Sequence, residues 1–208
     1  MYFPLIVISG PSASGKNVIV GALEKKIPVR RMVTTTTRKK RHGEKNHIDY
    51  HFVTPQKFSQ LKKRKELFEH ARVHGIEYGV TKEEIAQARR KKKFPILVID
   101  VQGGQRVKNI NPQTLLVFIR PTPLHQYYAR LLKDRGHEIN FAKRLLSIKK
   151  EIRASKNYER VVRNQEGKLR ETTRNIERIL RDYIKKYEQG ALVDNERNLS
   201  YSKSPSNI

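Results

Sequence analysis

Apolar residues along this chain fall into short continuous runs, separated by stretches with helical spacing. Leu5-Ile6-Val7-Ile8 is rich in β-branched residues and short enough for a buried strand. Residues 95–101 form a second, near-continuous run that reads as a central parallel strand, and residues 115–119 a third. Val18, Ile19, Val20, Ala22 and Leu23 predict a helix that Ile27-Pro28 brings to an end. Residues 31–36 read as one strand running into a basic turn at 38–43, and residues 49–53 as a further short strand. Thr54-Pro55 supplies an N-cap and a first-turn proline for a helix to about Lys65, with Phe58 and Leu61 on one face. Residues 66–74 and 77–80 are strand-like around Gly75. Thr81-Lys82-Glu83-Glu84 has the capping-box pattern and opens a helix through Ala88. Residues 123–133 and 139–153 are helical, with the turn Asp134-Arg135-Gly136-His137 between them, and Val161-Val162 makes a short last strand. In residues 169–187, Ile176, Ile179, Leu180, Tyr183 and Ile184 share one stripe of an amphipathic helix.

Strands alternating with helices predict an α/β fold with a parallel sheet covered on both faces. Residues 34–80 form a small, partly β lobe inserted into a core of residues 1–33 and 81–187. A polar tail, 188–208, is expected to be disordered. The first strand leads into Gly10-Pro11-Ser12-Ala13-Ser14-Gly15-Lys16-Asn17 and then the first helix. This is the context of a phosphate-binding loop: glycines allow close backbone approach, N–H groups converge at a helix N-terminus, and Lys16 adds a point charge. The pattern G-x-x-x-x-G-K-[ST] is met except at its end, where Asn17 replaces the hydroxyl that would hold Mg²⁺.

Composition narrows the picture. The 208 residues suffice for one α/β domain with a lobe. The lack of cysteine excludes disulfides and thiolate metal sites. No apolar run reaches the roughly 20 residues that span a bilayer. Met1-Tyr2-Phe3-Pro4 has no basic leader character, so a cytoplasmic protein is expected. Forty-five Lys and Arg against twenty Asp and Glu give a formal net charge of +25. That predicts non-specific affinity for RNA or DNA at low salt. His42, His51, His70 and His74 lack ligand spacing and read as structural.

A second constellation joins the loop. Thr34-Thr35-Thr36-Thr37-Arg38-Lys39-Lys40-Arg41-His42-Gly43-Glu44 precedes Asp49-Tyr50-His51-Phe52-Val53. Phe68-Glu69, then His74-Gly75-Ile76-Glu77-Tyr78-Gly79, then Ile99-Asp100-Val101-Gln102-Gly103 follow. In this order and spacing the chain resembles guanylate kinase from Leu5 to about Tyr187. The resemblance implies a three-layer P-loop fold with a GMP-binding lobe and a helical lid at about 134–144. It implies phosphorylation of GMP to GDP with ATP as co-substrate and Mg²⁺. Gly10, Ser12, Ala13, Ser14, Gly15, Lys16 and Asn17 would hold ATP, with Asn17 near the metal, directly or through water. Arg38, Arg41, Tyr50 and Tyr78 match residues that grip the phosphate of GMP. Glu69 and Asp100 match carboxylates facing guanine, and Thr34 a hydroxyl residue on the base. Arg135 and Arg144 match lid arginines, so the catalytic set is Lys16, Arg38, Arg135 and Arg144. The acceptor is already an oxyanion, so no general base is required.

The chain departs from the family pattern in several places. Besides Asn17, Val80 stands where a small hydroxyl residue is usual and Val98 where a carboxylate is usual. Leu131, beside Arg130, takes the register of a lid arginine, and Asn164 is not followed by aspartate. A catalytically weak nucleotide-binding module and a basic nucleic-acid-binding protein on a P-loop scaffold are the alternative readings.

Overall fold

The computed structural model describes residues 5–73, 75–136 and 141–190. The first apolar run becomes strand β1 (Ile6–Ser9), followed by the loop and helix α1 (Lys16–Glu24). The chain then gives β2 (Val29–Arg31), β3 (Thr35–Thr36), β4 (His51–Phe52), α2 (Pro55–Lys63), β5 (Leu67–Val73) and β6 (Ile76–Thr81). After α3 (Lys82–Arg90) come β7 (Phe94–Val98), α4 (Val101–Ile110), β8 (Leu115–Thr122), α5 (Leu124–Arg135) and α6 (Phe141–Ala154). The last elements are β9 (Arg160–Gln165) and α7 (Leu169–Glu188).

Five strands form a parallel sheet in the order β2-β7-β1-β8-β9. Its inner strands are apolar on both faces because each face has its own core. Ile6 and Ile8 of β1, Ile96 of β7 and Val117 of β8 pack with Ile19, Leu23, Ile176 and Leu180 of α1 and α7. Val7, Leu97 and Phe118, the alternate residues, pack with Ala88 of α3, Val107 of α4 and Tyr158. A continuous apolar run is thus a period-2 pattern serving two layers. The remaining strands form a second sheet, β4-β3-β6-β5.

The predicted strand at 31–36 is in fact two. Arg31 ends β2 in the main sheet, Met32 N–H still reaches the Ile96 carbonyl at 2.8 Å, and β3 then pairs with β6 in the second sheet. The run is β-branched throughout, so nothing local marks the change of sheet. The predicted strand at 49–53 shortens to His51–Phe52, because Asp49 turns back to accept the Lys45 N–H at 2.7 Å. The strand predicted at 95–101 ends at Val98, and α4 begins where none was expected. Gly103 and Gly104 weaken the local helical signal, but both are buried, and a Cβ on Gly104 would collide with the Tyr158 hydroxyl. The capping box at Thr81 forms by half. Thr81 Oγ1 accepts from the Glu84 N–H at 3.2 Å, while the Glu84 carboxylate accepts instead from Val33 N–H and meets His51 Nε2.

Candidate active-site cleft

The loop at residues 10–15 passes β8 at backbone distance. A Cβ on Gly10 would lie 2.6 Å from the Ile119 carbonyl oxygen and 2.9 Å from Ser14 Oγ. Gly15 is the N-cap of α1 in the left-handed region, φ 87°, where glycine carries no Cβ penalty. No side chain caps α1, so its first N–H groups have no intrahelical partner and are open to an anion. Three successive carbonyls of the loop are drawn to donors elsewhere. Tyr127 Oη donates to Ser12 O at 2.7 Å, Arg130 Nη2 to Ala13 O at 3.0 Å, and Asn164 Nδ2 to Ser14 O at 3.1 Å. Arg130 is itself held by Glu166 at 2.7 Å. Lys16 Nζ donates to the carbonyls of Gly10 and Pro11 at 2.6 and 2.8 Å. Burial pulls the Lys16 pKa down against the attraction of Glu151, and burial pushes the Glu151 carboxyl up against the attraction of Lys16.

A cleft of about 440 Å³ opens between this loop and the second sheet. Gly10, Ser12, Ala13, Lys16 and Asn17 line it from the loop, and Thr34, Arg38, Arg41, Tyr50, Glu69, Tyr78 and Asp100 from the other side. Ser14 and Gly15 lie instead on a neighbouring pocket of about 230 Å³, with Ala13 on both. Tyr127, Arg130, Asn164 and Leu169 are among the other residues that line that pocket. Arg135 lies in α5 and Arg144 in α6; their side chains fall outside the described residues, as do His74, part of the expected lid and tail residues 191–208.

Each wall of the cleft has a local cause. Arg38 donates through Nη2 to Glu44 Oε1 at 2.7 Å and lies over the Tyr50 ring at 5.2 Å from its centroid. The other Glu44 oxygen accepts the Arg41 N–H at 2.7 Å, which tightens the basic turn. Hydrogen bonding to Arg38 holds the Glu44 carboxyl below its usual range. Tyr50 and Tyr78 meet edge to face, 6.2 Å between centroids. The carboxylate of Asp100 caps α4, its Oδ1 accepting the Gly103 N–H at 2.7 Å. That is the partner a carboxylate at the end of an apolar strand requires. Glu69 is 6 % exposed. Arg106 of α4 donates to its Oε1 twice, through Nε at 3.0 Å and Nη2 at 2.6 Å. Burial raises the Glu69 pKa and Arg106 opposes the rise. Val98 lines the cleft, whereas Val80 is fully buried in the apolar cluster below it.

Arg106 and Glu44 hold site residues in place and Glu151 attracts Lys16, and sequence reasoning gave none of them a role. Arg106 was hidden because its helix was. Glu44 had a signal, an acid three residues after Arg41 in a turn otherwise basic. Glu151 had none: it is one acid among the cations of α6.

A family model for guanylate kinase matches residues 3–183. The chain is 33% identical over 163 residues to guanylate kinase of Fusobacterium nucleatum, covering 78% of this chain and 88% of that one. It is 36% identical over 179 residues to guanylate kinase of Clostridium perfringens, covering 85% and 82%. Among solved structures it is similar to guanylate kinase from Anaplasma phagocytophilum, with a TM-score of 0.70 and 28% identity over 86% of this chain and 85% of that one.

Proposed function

Because this chain belongs to the guanylate kinase family, we propose that GMP occupies the cleft of about 440 Å³ and that the ATP nucleoside lies at the pocket of about 230 Å³ on the other side of the loop. The reaction transfers the terminal phosphoryl group of ATP to GMP, giving ADP and GDP. A GMP phosphate oxygen bonds to the γ-phosphorus as the bond to the β,γ-bridging oxygen breaks. No proton needs to be abstracted first, so the protein's task is positioning and charge neutralisation.

In this reading the α1 N–H groups and Lys16 hold the donor phosphates. Arg38 and Arg41 grip the acceptor phosphate with planar forks, and Tyr50 and Tyr78 add neutral donors. Glu44 and the Tyr50 ring keep Arg38 aimed. Both Arg106 donors fall on one oxygen of Glu69, which leaves Oε2 to accept from the N1–H or amino group of guanine. Asp100 and Thr34 complete the base site. Adenine lacks those donors, and a carboxylate left unpaired in a buried site rejects it. Arg135 and Arg144 would close on the transferring group.

Asn17 offers one hard, neutral carbonyl oxygen on the cleft wall, and no group of three acidic or histidine side chains converges among the described residues. That donor set fits a Mg²⁺ ion that arrives with the nucleotide, held mainly by phosphate oxygens. Bound there, Mg²⁺ supplies neutralisation of phosphate charge.

The observation that carries this reading is the single cleft lined by the phosphate loop, two arginines, two tyrosines and a buried carboxylate. ADP release measured with GMP and with AMP tests it. Turnover should require GMP. Arg41→Ala should raise the KM for GMP about tenfold or more, a charge-assisted hydrogen bond being worth roughly 1.5–3 kcal/mol, and leave the KM for ATP nearly unchanged. Equal losses for both nucleotides would show that the two ends have been wrongly assigned.

A further inference from the structure

The nucleotide sites lie at the C-terminal ends of the parallel strands. At the other end, where β2 and β7 begin, three segments far apart in sequence come together. Phe94, the first residue of β7, donates its N–H to the Pro28 carbonyl at 2.8 Å. Its ring meets Tyr187 of α7 edge to face, centroids 5.7 Å apart. Arg181 of α7 donates to the Lys26 carbonyl at 3.0 Å. Lys25, the run Lys91-Lys92-Lys93 and the pair Lys185-Lys186 therefore share one pole of the molecule.

These six lysines have no ion-pair partner among the described residues, and all but the half-buried Lys93 are exposed. Glu177, an acid of this region, is engaged by Lys26 and Arg181. Lysines do favour helix C-termini, and α1, α3 and α7 all end here. Three termini contribute only about −0.5 charge each, which six lysines exceed several-fold. The pole also faces away from the cleft, so drawing in nucleotides does not account for it.

We propose that this pole is a docking surface for the phosphodiester backbone of a nucleic acid. The choice of partner follows from what the surface lacks. None of the exposed large apolar side chains among the described residues lies in these segments; Ile110 before β8 and Val161 at the start of β9 share this end of the sheet but sit by its other strands. A lipid surface or a protein partner would be expected to engage an apolar anchor, whereas a phosphate backbone needs only spaced cations. Recognition is by charge and carries no base sequence.

The test is fluorescence anisotropy of a labelled 20-nucleotide RNA between 50 and 200 mM salt. The enzyme is compared with a pole variant, Lys25→Gln, Lys91→Gln, Lys185→Gln and Lys186→Gln. A charge-matched control carries Lys57→Gln, Lys62→Gln, Lys63→Gln and Lys65→Gln on and after α2. The native enzyme should lose affinity about 300-fold across that range, as about six phosphate contacts on a single strand predict. The pole variant should flatten the slope of log affinity against log salt by about three, at roughly 0.7 per contact, and the control should barely change it. Both variants should keep the native kcat/KM for GMP, which separates this surface from the catalytic reading. Equal flattening in the two variants would overturn the proposal in favour of undirected net charge. So would absence of RNA binding at 50 mM salt, or tighter binding to phosphatidylserine vesicles than to RNA.

Discussion

At the scale of single residues, the cleft depends on groups that hold its other lining residues. Arg106 spends both donors on one oxygen of a buried carboxylate, and this opposes the rise in Glu69 pKa that burial produces. Protonation would turn Glu69 from acceptor into donor, so GMP binding weakens as pH falls through the Glu69 pKa. Arg106→Gln removes the opposing charge and moves that pKa further up. The KM for GMP in this variant should therefore begin to rise at a higher pH than in the native enzyme. At a pH between the two inflections it should be raised about tenfold, the factor that corresponds to roughly 1.4 kcal/mol. A KM–pH profile from 5 to 8 checks this; parallel profiles would mean that Arg106 only supports packing. Asn17 makes the opposite case, a site residue with an unusual side chain. Its carbonyl sits on a longer stem than a serine hydroxyl, and Mg²⁺ tolerates displaced ligands poorly. Asn17→Ser should raise kcat about tenfold, some 1.4 kcal/mol of barrier, with little change in ATP affinity, measured across a Mg²⁺ titration at saturating GMP. The residues that line the cleft from the loop and the second sheet were legible because their types and spacing are chemical. Those that orient them were not, because Arg106 reaches Glu69 across 37 positions of sequence.

At the scale of elements, α4 shows where reading a sequence for periodicity fails and why. Its two glycines look like breaks, yet each is a close approach: Gly103 to Ile99 and to the carboxylates of Asp100 and Glu69, Gly104 to the Tyr158 hydroxyl. Tyr158 in turn donates to Ser9 Oγ at 2.7 Å and packs edge to face on Phe118. Gly104→Ala should gain up to about 1 kcal/mol in helix propensity and lose roughly 1–3 kcal/mol by overpacking. The net should be a lower Tm, with Tyr158→Phe restoring part of the loss because it removes the atom in the way. A double-mutant cycle by thermal unfolding measures this coupling, and additive effects would mean that the helix simply shifts. The switch from β2 to β3 failed to show for a different reason. Residues 32–36 suit a strand in either sheet, and the choice between sheets is made by Ile96 and Tyr78, both distant in sequence. By contrast, β1, β7, β8 and α7 were legible because burial on both faces, or on one stripe, leaves a continuous or periodic apolar record.

At the scale of the whole molecule, the parallel sheet sets a direction. Strand C-termini open onto the cleft, and strand N-termini onto the lysine pole. Overall charge was plain from composition, but its distribution was not, since the pole is assembled from residues near 25, 92 and 185. Between these ends the backbone leaves little slack around the loop, and this bears on which sequences the chain can tolerate. At Gly10 any other residue brings a Cβ to 2.6 Å from the Ile119 carbonyl oxygen, a backbone atom that cannot swing aside as a side chain can. Every missense change there thus meets the same Cβ clash, whatever the chemistry of the new residue. At Gly21, in α1, an added Cβ meets nothing within 4 Å, and alanine should raise stability by roughly 1 kcal/mol. In a saturation library selected for kinase activity, position 10 should return glycine alone and position 21 should be permissive. Two glycines eleven residues apart would then stand at opposite ends of the chain's mutational spectrum.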